Sequence, residues 1–148
     1  MAIIVAFTHG GCGNSIYHQA RAAQPADSAH RLRVRIEEGR KLAESTRREV
    51  TALAGGHVSN PSAAAELLVV HGHDLRRSAL SIQDVAARVE PGPQRTASLD
   101  LIAALTRAGE ATIRAGEATA TERAECLQVA QAALGRALEA AGRTAGTD

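Results

Sequence analysis

The stretch Arg107-Ala108-Gly109-Glu110-Ala111-Thr112-Ile113-Arg114-Ala115-Gly116-Glu117-Ala118-Thr119 writes the same six residues twice, seven positions apart. Seven residues make two helical turns, so both copies present the same face. Read outward, the spacing of alternating threes and fours persists from Leu99 through Ile102, Thr106, Gly109, Ile113, Gly116, Ala120 and Arg123. It continues through Leu127, Ala130, Leu134, Ala137 and Ala141. That is the heptad seam of a helix, with Ser98 and Asp100 offering caps and a start near Thr96 or Ser98. Unbroken, such a helix would be about 65 Å long. The seam glycines weaken it, so a break is expected between about Gly109 and Thr121. It either folds back into two antiparallel pieces or projects and pairs with another chain.

Two earlier segments carry the same pattern. Leu32, Ile36, Gly39, Ala43, Thr46, Val50 and Leu53 form one seam, expected on a helix from about Ser28 to Ala54 that stops at Gly55-Gly56. Asp27-Ser28 is the expected cap. Residues 31–36 also alternate with period two, a strand signal over residues 30–36, but the four-three spacing runs on to Leu53 and favours helix. A second seam joins Ala64, Leu68, His71, Leu75, Ser78, Ile82, Val85 and Val89. Pro61 suits its first turn, Gly72 interrupts it at modest cost, and Pro91-Gly92-Pro93 ends it. The expected architecture is therefore mainly α: an antiparallel three- or four-helix bundle over residues 30–143. A short strand-like head (1–29) precedes it and a flexible tail (144–148) follows.

Composition agrees. The 148-residue chain is 45% hydrophobic and 22% charged, near globular averages. It has no Trp, one Phe (Phe7) and one Tyr (Tyr17). A core of Ala, Leu, Val and Ile suits helices better than sheets. Cys12 and Cys126 make no disulfide framework. Cys126 reads as a small packing residue, and Cys12 lacks an assignable catalytic partner. The run of residues 2–7 is too short for a membrane span and lacks a signal peptide's basic flank. A cytoplasmic location without membrane contact is the expectation.

Three groups of residues raise possible chemistry. In the head, Ile3-Ile4-Val5-Ala6-Phe7-Thr8-His9-Gly10-Gly11-Cys12-Gly13-Asn14-Ser15 places an apolar run before a glycine-rich turn. Such a turn exposes backbone N–H groups to phosphate. The stretch resembles the first strand and phosphate loop of the ParA/MinD-type partition ATPases, whose loop reads K-G-G-x-G-K-[ST]. The resemblance implies phosphate contacts at Gly10, Gly11, Gly13 and Ser15. His9 and Asn14 stand where that family has its two lysines, and no Walker B strand follows.

The second group is His71-Gly72-His73-Asp74, which resembles the H-x-H-D metal-binding strand ends of several hydrolase families. Imidazole and carboxylate are sound zinc ligands. On a helix, however, His71 and His73 lie about 200° apart, whereas zinc helices use i and i+4. The third is the arginine-rich segment from Arg31 to Arg48, comprising Arg31, Arg33, Arg35, Arg40, Lys41, Arg47 and Arg48. Glu37, Glu38, Glu44 and Glu49 run through it, and the formal net charge is only +1. No aromatic residues interleave to stack bases, so weak phosphate contact is the most that nucleic acid could find there. The leading expectation is a non-enzymatic bundle, without cofactor, acting through a homo-oligomer or a helical protein partner.

Overall fold

The computed structural model describes residues 24–146. Four helices fill that span: α1 (Gln24–Ala54), α2 (Pro61–Ala86), α3 (Pro93–Glu117) and α4 (Arg123–Ala145). Among the described residues there is no strand. Each helix packs on the next, and α4 closes the ring against α1. Across the diagonals, α1 and α3 barely touch and α2 and α4 do not. This is a closed antiparallel four-helix bundle with short connections. The strand-like head, residues 1–23 of it, lies outside the described residues.

Local signals place the turns. Gly56 takes φ +68°, the left-handed conformation that ends a helix most easily with glycine. Asn60 caps α2, its side chain accepting from the Ala63 N–H at 3.1 Å, with Pro61 opening the first turn. Residues 118–122 break the long C-terminal pattern, with Ala118 in extended backbone. Thr119 bonds Glu122 at 2.7 Å, and Arg123 donates back to the Ala118 carbonyl at 2.9 Å. Side-chain bonds of this kind compete with the helical ladder and hold the chain reversed. The long third helix therefore folds back rather than projecting.

Some expected boundaries move. Helix α1 opens at Gln24, ahead of the head boundary at residue 29, so Asp27 and Ser28 lie inside its first turns rather than capping it. Pro25 sits in that first turn, where its missing N–H is harmless. Helix α3 begins at Pro93, not near Ser98; Ser98 is buried, its hydroxyl donating to the Gln94 carbonyl at 2.7 Å. Helix α4 runs through Thr144, which is buried and donates to the Ala140 carbonyl at 2.8 Å. Thr46 and Thr112 use the same device on Leu42 and Ala108, which is how hydroxyls sit in this core without a lost hydrogen bond.

All seven expected seam residues of α1 are buried. In α2 and α3 the seam is wider than a single heptad stripe. The expected α2 row holding Ala64, His71 and Ser78 is only half-buried. His71 and Ser78 look towards α1, at Glu49 and Gly39. The adjoining row Ala65, Gly72, Ala79 and Ala86 is fully buried, and Ala65 and Gly72 face α3. In α3 the deepest row is Leu101, Leu105, Ala108, Thr112 and Ala115, one position from the expected seam, and Leu99 is exposed.

Gly72 is no interruption. A Cβ there would stand 2.7 Å from the Gly109 carbonyl oxygen, and one on Gly109 would stand 2.6 Å from that of Gly72. A Cβ on Gly116 would stand 2.5 Å from the Ala65 carbonyl oxygen. The two helices run antiparallel, so Gly109 meets Gly72 and Gly116 meets Ala65, each pair seven residues from the other. The literal repeat therefore supplies a glycine at two successive crossings, where backbone touches backbone. The α2–α3 contact is the most extensive in the bundle.

Candidate functional site

Helix α2 is the most apolar of the four. Its run Leu67-Leu68-Val69-Val70 explains why. Four consecutive helical residues sweep about 300°, so they cannot all face one core. Leu68 is buried and Val69 half-buried against Gly116, while Leu67 and Val70 are 44% and 54% exposed. One row further along, Leu80 is 65% exposed. Six large apolar side chains are exposed among the described residues. Three of them lie on α2; Val34, Leu99 and Val129 stand singly on the other helices. Scattered single residues need no explanation, whereas α2 carries exposed apolar groups outside as well as buried ones inside.

The outward row is Ala63, Glu66, Val70, His73, Arg77 and Leu80, at spacings of three and four, and every member is exposed. Arg77 pairs with Asp74 at 2.9 Å in the same helix, leaving both in water. Glu66 has no ion-pair partner among the described residues. Expectation from the sequence located the inner seam of α2 but not this outer row. Its signal is the uninterrupted apolar run Leu67-Leu68-Val69-Val70, which has no periodicity to say which members face out.

The residues expected to carry other chemistry are dispersed. His71 lies between α2 and α1, its side chain 18% exposed, with Nε2 3.2 Å from Glu49 Oε2. The approach lacks hydrogen-bond geometry, and His71 Nδ1 is buried without a hydrogen-bond partner among the described residues. His73 projects to solvent on another face, and Asp74 is engaged by Arg77. Among the described residues no three His, Cys, Asp or Glu side chains converge as a metal-binding group. Cys126 is partly buried against the core. Gly10, Gly11, Gly13 and Ser15 lie outside the described residues.

The arginine-rich segment is largely self-neutralised. Arg31 meets Asp27 at 2.6 Å, Arg35 meets Glu38 at 2.7 Å, and Lys41 lies 3.7 Å from Glu37. Arg40 grips Glu37 at 2.7 Å and also pairs with Glu44. The hydrogen bond from Arg40 holds the Glu37 carboxyl below its usual value, and Glu37 in turn raises Arg40. These are solvated ion pairs along one helix. A surface groove of about 1010 Å³ lies between the start of α1 and the end of α2; Arg31, Arg35 and Arg88 line it together with Asp27, Glu38, Asp84 and Glu90. Its carboxylates outnumber its arginines, so it offers no concentrated positive field for an anion.

No helix among the described residues is long and apolar enough to cross a membrane. No family model, curated protein or solved structure matches the chain.

Proposed function

We propose that this chain is a non-enzymatic helical-bundle protein that works by association, taking up a helix on the outer face of α2. The observation carrying this reading is the exposure of Leu67, Val70 and Leu80 on a helix whose inner face is already filled by Leu68, Leu75 and Ile82. The bundle closes within one chain, so association is not needed to complete the core. It serves instead to cover a second apolar surface. Hydrophobic burial supplies the affinity, and the interspersed Glu66, His73, Arg77 and Asp84 supply the register.

The test is absolute mass by light scattering during size-exclusion chromatography, on the wild type and on Val70→Glu/Leu80→Glu. The wild type is expected to exceed the monomer mass as concentration rises, or to do so when a helical partner is added. The double variant should stay monomeric with an unchanged circular-dichroism spectrum. Association that survives both glutamates would remove the outer face of α2 from the account.

A further inference from the structure

The outward row of α2 is symmetric about a point midway between residues 71 and 72. Turned end for end, Ala63 falls opposite Leu80, Glu66 opposite Arg77, and Val70 opposite His73, each pair occurring twice. All six residues are exposed. The three-four spacing survives the reversal, which an antiparallel pair of identical helices requires. The chemistry survives it too. Leu80 meets the small Ala63, which leaves room for the larger side chain. The acid Glu66, without an ion-pair partner among the described residues, meets the base Arg77. At the axis the imidazole of His73 lies against Val70.

We propose that the occupant of this face is a second copy of the same chain, its α2 packed antiparallel on the first about a two-fold axis beside residues 71 and 72. The inference rests on the association reading above and names its partner. Charge complementarity selects this register. Sliding the pair so that Val70 meets Leu80 instead sets Glu66 against Asp84 twice, which like charge disfavours. Helix α2 has 26 residues and spans about 39 Å, and the row covers only part of it. A contact of that length lies at the lower end of specific interfaces, so monomer and dimer should exchange at roughly micromolar concentration.

Charge reversal tests the register. Sedimentation equilibrium is run on the wild type, Glu66→Arg, Arg77→Glu and the double reversal. Each single variant sets like charges opposite one another twice and should weaken the dimer about tenfold. The double reversal restores opposite charges across the axis and should return the dissociation constant to near the wild-type value. Both positions are exposed, and circular dichroism verifies that each variant folds. A dimer indifferent to all three variants, or weakened by both singles and not rescued by the double, overturns this pairing but leaves association standing. A wild type that stays monomeric alone, yet gains mass with an added helical partner, overturns the second copy as occupant. A wild type monomeric under both conditions overturns the association reading itself.

Discussion

Gly109→Ala should destabilise the bundle by about 1–2 kcal/mol, although alanine is the better helix former. At an open helical position the exchange gains about 1 kcal/mol. Here the new methyl would lie 2.6 Å from the Gly72 carbonyl oxygen and 2.7 Å from the Arg76 Cγ. The carbonyl belongs to a backbone and cannot rotate away, so α2 and α3 must separate. Overpacking of this kind costs about 2–3 kcal/mol and exceeds the propensity gain. Gly116→Ala should behave alike, because its methyl would meet the Ala65 carbonyl oxygen at 2.5 Å. The control is built into the chain. Gly135 and Gly142 lie in α4 with nothing within 4 Å of an added Cβ, and alanine there should stabilise by about 0.5–1 kcal/mol. Urea melts followed at 222 nm would show the opposite signs. Gly72→Ala and Gly109→Ala together should destabilise by less than the sum of the two, since one separation of the helices accommodates both methyls.

Leu105→Ala should have the larger effect, about 2–5 kcal/mol. Leu105 is fully buried, and its Cδ1 approaches Gly39, so its side chain bridges α3 to α1 across the bundle. Among the described residues the core has no aromatic side chain and is rich in alanine, so each leucine fills a correspondingly large share of the space. The loss is a sizeable part of the 5–15 kcal/mol that stabilises an ordinary domain. Leu80→Ala offers the contrast. Leu80 is equally apolar but faces outward, so in dilute monomer its loss should change stability by no more than about 0.5 kcal/mol. Chemical denaturation of the two variants at low protein concentration separates core from association surface.

Much of the fold was legible in the sequence because heptad spacing reports burial directly. The α1 seam from Leu32 to Leu53 is buried throughout, and helix prevails over the period-two signal at residues 31–36. The break in the C-terminal pattern falls at residues 118–122, within and just beyond the glycine-weakened stretch. What spacing alone could not set was the width of the buried face. In α2 and α3 a helix in the ring touches two neighbours, and the second row of contacts holds alanine and glycine, whose burial leaves little hydrophobic signal. Gly72 therefore reads as a defect in one dimension and as a contact in three. The outer row of α2 was obscured for a related reason. Leu67, Leu68, Val69 and Val70 are consecutive, and a run without periodicity does not say which members face out. Among the residues singled out for chemistry, His71 and His73 diverge as helical geometry requires.

The most direct test of the central claim is a distance between two copies. With Cys12 and Cys126 replaced by alanine, a spin label is placed at Gln83, exposed near the end of α2, and the inter-label distance is measured by pulsed dipolar spectroscopy. Antiparallel pairing about residues 71 and 72 separates the two labels by about 35 Å along the helix axes. A distance near that value, growing in population with concentration, is the result this account predicts. A separation close to the roughly 10 Å between packed helices, or no dipolar signal at any concentration, would contradict it.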